Sequence, residues 1–101
     1  LDELTNATTV GQRAYFQERL KGRVYSFVVD ELLRRRAADP SLTQAEIARR
    51  LGKRPEQITR LLSGPGNWTL ETLSDLFLAI CAGEPVLKCS PIPAETLHKS
   101  G

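Results

Sequence analysis

Apolar positions recur at three- and four-residue steps through most of the first eighty residues, and that period predicts helices. Val24, Phe27, Val28 and Leu32 form one stripe, widened by Val29 and Leu33, in a helix expected over residues 23–38. Asp39-Pro40 ends it, because a residue before proline is pushed out of the helical region. Tyr15, Phe16 and Leu20 carry a weaker period that predicts an earlier helix over 10–21. Gly22 either ends that helix or is tolerated inside a longer one, at about 1 kcal/mol relative to alanine. Residues 1–8 are polar, lack a strong period and read as a frayed end.

Two short helices follow. Thr43 is a good N-cap, and Glu46 three residues on completes a capping-box signature. Ala45, Ile47, Ala48 and Leu51 are the expected inner face, and Gly52 ends the helix. Pro55 then occupies a first helical position, where its missing N–H costs nothing. Ile58, Leu61 and Leu62 are the apolar residues of this second helix, and Ser63-Gly64-Pro65-Gly66-Asn67 breaks the chain. Thr69 caps a last helix over 70–82, with Leu73, Leu76, Phe77 and Ile80 on one face. Beyond Gly83 the chain is punctuated by Pro85, Pro91 and Pro93, and is expected to be extended with at most one turn over 93–97. Strand-like alternation is missing, so the class is all-α: a compact bundle of four to five helices. The expected divisions are an N-terminal extension (1–22), a central domain (23–83) and a tail (84–101).

Composition narrows the function. A chain of 101 residues, 41% hydrophobic and 26% charged, suits one soluble globular domain. Its apolar runs fall well short of the roughly 18 residues of a membrane span. No basic segment followed by an apolar one opens the chain, so a cytoplasmic protein is expected. Cys81 and Cys89 fit no metal spacing, and the single histidine, His98, lies in the tail. Cys81 reads as a small buried hydrophobe and Cys89 as a loop residue, with a disulfide between them the lesser expectation. Scattered carboxylates and the lack of a phosphate-binding loop leave nothing to arrange as an active site. Neither an enzyme nor a cofactor or metal is expected.

Charge is unevenly spread. Residues 19–60 hold eleven Lys or Arg against five Asp or Glu, a net +6, whereas 1–18 and 61–101 each carry −2. A basic middle between mildly acidic ends points to a polyanionic partner.

The segment Thr43-Gln-Ala-Glu-Ile-Ala-Arg-Arg-Leu-Gly-Lys-Arg-Pro-Glu-Gln-Ile-Thr-Arg-Leu-Leu-Ser-Gly64 carries that reading further. Two short helices joined by a glycine-containing turn answer the physical description of a helix-turn-helix. Ala48 supplies a small residue where the helices cross, and Gly52 a turn residue suited to positive φ. Leu42-Thr-Gln-Ala-Glu-Ile-Ala, Leu51-Gly52, Ile58-Thr-Arg-Leu-Leu-Ser-Gly and Trp68-Thr-Leu-Glu-Thr-Leu resemble the Cro/C1-type (XRE-like) helix-turn-helix family over residues 24–82. The family includes phage repressors and small bacterial regulators. The resemblance implies a lambda-repressor-like fold, here with an extra N-terminal helix, and places the Pro55 helix in the DNA major groove. This chain departs from the family's pattern at Lys53, where an apolar residue is usual, and at Arg54, where a Ser or Thr cap is usual. Pro55 and Glu56 also replace commoner polar residues.

Gln44 resembles the family's phosphate-contacting glutamine; the alternative is a solvated first turn. Glu56, Gln57, Thr59 and Arg60 span the recognition helix. Arg60 suits guanine, Glu56 cytosine and Thr59 a thymine methyl group. Arg60 reads equally as a phosphate clamp or as a partner of Glu56 at four-residue spacing, and Gln57 as a support for Arg60. Lys53, Arg54, Ser63 and Asn67 flank the helix as backbone-contact candidates, although Ser63 and Asn67 are as readily turn-makers. Arg49 or Arg50 is expected to face solvent without a role. Trp68 reads as a staple against the core. The expected function is sequence-specific double-stranded DNA binding by a small prokaryotic transcription regulator, such as a repressor, acting as a homodimer. The N-terminal helix or the tail is then available for a protein partner. The alternatives are a DNA-binding antitoxin, and a protein-interaction module like the multiprotein bridging factors that resemble this family.

Overall fold

The computed structural model describes residues 8–93. His98 and the turn expected beyond Pro93 lie outside them. Four helices and no strand occur among the described residues: α1 (Val10–Ala38), α2 (Gln44–Leu51), α3 (Pro55–Leu61) and α4 (Leu70–Cys81). No helix among these residues is long and apolar enough to cross a membrane. The chain divides into two units. Lys21–Val86 is one, and the other contains the described residues 8–20 and 87–93.

In the second of these units α1 begins with a reciprocal cap. The Gln12 N–H donates to Thr9 Oγ1 at 2.9 Å, and the Thr9 N–H donates to Gln12 Oε1 at 2.8 Å. The Tyr15 and Phe16 rings meet edge to face with centroids 5.0 Å apart.

The separate N-terminal helix expected over 10–21 is not found, because α1 runs unbroken through Gly22. A lone glycine keeps its N–H and C=O in the helical ladder, and its entropic cost is too small to break a long helix. A Cβ at Gly22 would meet nothing within 4 Å, so no packing contact accounts for this glycine.

The core belongs to Lys21–Val86. Val28 and Leu32 of α1, Leu42 of the following loop, Ile47 and Ala48 of α2, Ile58 of α3, and Leu76, Phe77, Ala79 and Ile80 of α4 are all buried. α2 packs against both α3 and α4. The inward face of α1 differs from the expected stripe. Phe27 and Leu33 are each 56% exposed, and the half-buried Tyr25 and Arg36 flank Val28 and Leu32 instead. Both polar members of this face donate to backbone carbonyls, and Arg36 Nη2 is buried without a partner among the described residues. The Tyr25 hydroxyl donates to Leu62 O at 2.7 Å and Arg36 Nε donates to Leu42 O at 2.7 Å. A second shift occurs on α2, where Ala45 is exposed. Leu42, one residue before the Thr43 cap, is buried with Ile47 in the manner of a hydrophobic staple. Trp68 occupies the same place before the Thr69 cap, packs on the core, and lies 6.0 Å from the Tyr25 ring.

Candidate nucleic-acid interface

α2 and α3 are separated by three residues, Gly52, Lys53 and Arg54. The start of α2 is fixed by Thr43, whose Oγ1 accepts from the Glu46 N–H at 3.1 Å. The reciprocal half of the expected box does not form, because the Thr43 N–H already donates to Ser41 O at 2.9 Å. Glu46 therefore turns to Arg49 and Arg50. Arg49 Nη2 lies 2.6 Å, and Arg50 Nε 2.9 Å, from Glu46 Oε2. The Arg49 hydrogen bonds, and then the Arg50 bond, lower the Glu46 carboxyl to a pKa of about 2.

The end of α2 is a Schellman motif. Lys53 N–H donates to Ala48 O at 2.9 Å and Gly52 N–H to Arg49 O at 3.2 Å, with Gly52 at φ +64°. That conformation is open to glycine and costs other L-residues strain. A Cβ on Gly52 would meet no neighbour within 4 Å, so the requirement is one of backbone conformation alone. Ala48 is 1% exposed, while Ile47 and Ile58 are fully buried. A larger side chain at position 48 would have to displace close-packed neighbours.

α3 starts without a side-chain acceptor at its cap, since Arg54 is donor-only. Gln57 compensates: its Oε1 accepts from the Arg54 N–H at 2.8 Å. Ile58 turns inward, with Leu61 and Leu62 half-buried beside it. The other end is held by Ser63, whose hydroxyl donates to Arg60 O at 2.8 Å, and by Tyr25 on Leu62 O.

The nine candidate residues thus fall into three groups. Gln44 and Thr59 meet: Thr59 Oγ1 donates to Gln44 Oε1 at 2.7 Å, joining the first turn of α2 to the outer face of α3. Gln57 and Ser63 have local duties at the two ends of α3. Lys53, Arg54, Glu56, Arg60 and Asn67 are exposed, and their side chains have no partner among the described residues. The intrahelical pair of Glu56 and Arg60, one of the alternative readings of Arg60, does not form. Glu56 and Arg60 are four residues apart, so one outward face of α3 presents both.

Sequence reasoning missed Arg50, expected at most to be a solvated side chain. Its Nη1 donates to Ala79 O at 2.8 Å, tying α2 to α4. It likewise missed Tyr25 as the support of the α3 end. Cys81 is a half-buried free thiol and Cys89 an exposed one.

The chain matches no family model, no curated protein and no solved structure. The described residues define an all-helical protein in which a short helix, α3, is clamped at both ends and exposes an uncommitted polar and basic line.

Proposed function

We propose that α2, the Gly52–Arg54 turn and α3 form a helix-turn-helix, and that the chain binds double-stranded DNA with α3 in the major groove. The observation that carries this reading is the pairing of a tightly built scaffold with an unemployed surface. Ala48 is buried at the contact of α2 with its neighbours and Gly52 holds the left-handed turn, while Glu56 and Arg60 face outward unpaired. Exposed polar side chains on a rigid helix are what base reading requires. Lys53 and Arg54 at one end of α3 suit phosphate contacts, which set affinity and register without reading sequence. The basic balance of residues 19–60 supports the same partner. A small cytoplasmic transcription regulator, acting as a homodimer on a two-fold site, is the role this reading implies.

The test is gel retardation of varied duplexes over a range of salt. Binding should appear at low salt and weaken linearly as log affinity against log salt. A folded protein that retards no duplex at low salt overturns the reading.

A further inference from the structure

A recess lies within Lys21–Val86, and no residue of α3 lines it. Its volume is about 270 Å³. Leu42, Ile80 and Cys81 contribute to its walls, and Arg35, Asp39 and Arg50 bring charge to it. The volume falls just below the range of roughly 300–1,000 Å³ typical of sites for drug-sized ligands, so any occupant is small.

The charged groups at this recess are unequally employed. The Asp39 carboxylate accepts from the Ser41 hydroxyl at 2.6 Å and from the Ser41 N–H at 3.1 Å. Arg50 is held by Glu46 and by Ala79 O. The Cys81 thiol donates to Glu31 Oε2 at 3.6 Å. Arg35 alone is almost unspent: its Nε lies 3.9 Å from Glu31, and its two terminal nitrogens have no partner among the described residues. The C-terminal ends of α1 and α4 approach the recess and would by themselves favour a cation. The α4 end is already answered by Arg50 on the Ala79 carbonyl, and Arg36 adds positive charge in the last turn of α1. What remains is a planar guanidinium with open donors beside apolar walls.

We infer that this recess is a binding site for a small monocarboxylate with an apolar body. Its carboxylate takes the Arg35 fork in bidentate fashion, and its hydrocarbon part lies against Leu42 and Ile80. The site shares no residue with α3 or with the Gly52–Arg54 turn, and of the helix-turn-helix only Arg50 of α2 lines it.

The experiment titrates the whole chain, labelled with ¹⁵N, with sodium benzoate at fixed ionic strength. Benzyl alcohol and benzylamine serve as neutral and cationic counterparts. Benzoate should give saturable amide shifts around residues 35–42, 50 and 79–82, and should slow alkylation of Cys81 by iodoacetamide while leaving that of Cys89 unchanged. Benzyl alcohol and the Arg35→Gln variant should each bind about tenfold more weakly, the loss of a charge-assisted contact. Arg35 is half-exposed at its side chain, so the variant is expected to keep the amide dispersion of the parent. Four results overturn the inference: no saturation by benzoate, shifts located elsewhere, benzylamine binding as well as benzoate, or unchanged affinity in Arg35→Gln.

Discussion

Arg50 reaches from α2 to the carbonyl of Ala79, one of the last four of α4, at 2.8 Å. Those last carbonyls have no partner inside their own helix, and α4 has no basic residue in its last turn to serve them. A side chain from another helix supplies what local sequence does not. Arg50→Ala should therefore lower stability by about 1 kcal/mol, the net worth of a typical hydrogen bond. Arg49→Ala, which removes only surface contacts with Glu46, should have the smaller effect of the two. Urea unfolding followed by circular dichroism measures both. Equal effects would show that the Ala79 contact contributes nothing.

The contact of α2 with its neighbours and its exit turn can be tested separately. Ala48→Leu inserts three heavy atoms into a filled contact and should cost about 1–3 kcal/mol. Gly52→Ala should cost about 1–2 kcal/mol through backbone strain, since φ is +64° and no neighbour obstructs the new atom. Gly52→Asn should recover part of that loss, because asparagine tolerates the left-handed region. If Gly52→Asn proves no better than Gly52→Ala, conformational strain is not what selects glycine here.

Acid should weaken the first turn of α2. The folded Glu46 carboxyl titrates near a pKa of about 2, below its ordinary value, because Arg49 and Arg50 stabilise its charge. For a depressed carboxylate the stabilising contribution is complete above the unfolded pKa and is lost as pH falls through the folded one. The stability difference between the parent and Glu46→Gln should thus shrink between about pH 5 and about pH 2. A difference that stays constant over that window would show that the arginines do not hold the carboxylate in solution.

On DNA, Arg60 and Lys53 should behave differently. Arg60→Ala should cost about 1–3 kcal/mol at a preferred site and relax selectivity at one base step. Lys53→Ala should weaken all duplexes alike and reduce the salt slope by about one. Titrations of one selected and one random duplex separate the two outcomes. Identical profiles for both variants would make Arg60 a phosphate clamp.

The parts of this fold that could be read from sequence are those governed by neighbours in the chain. Thr43 and Thr69 cap because a hydroxyl there reaches an N–H three residues on. Gly52 ends α2 because only its backbone conformation is at stake. Both could be placed without knowing what lies across the core. The side-chain bonds to carbonyls outside their own helix could not. Tyr25, Arg36 and Arg50 all donate to main-chain carbonyls, of Leu62, Leu42 and Ala79 respectively. Every residue carries such an acceptor, so no residue type marks the partner. Glu46 shows the limit within a single motif: the Thr-x-x-Glu pattern suited a cap and an arginine pair equally, and the Ser41 carbonyl decided between them. The same holds for the candidate interface. Its residues could be enumerated, but that Gln57 is spent on the Arg54 N–H and Glu56 is not could not be foreseen.

The bond between Thr59 and Gln44 bears on how such a surface can evolve. The two positions are fifteen residues apart and share one exposed hydrogen bond, so replacing either removes a tie between α2 and α3, and water serves the group left behind. Glu56 and Arg60 carry no such tie, and each can be exchanged singly without disturbing the interior. If α3 reads DNA as proposed, exchange at positions 56 and 60 alters only the outward surface, whereas exchange at 44 or 59 also removes a link between two helices.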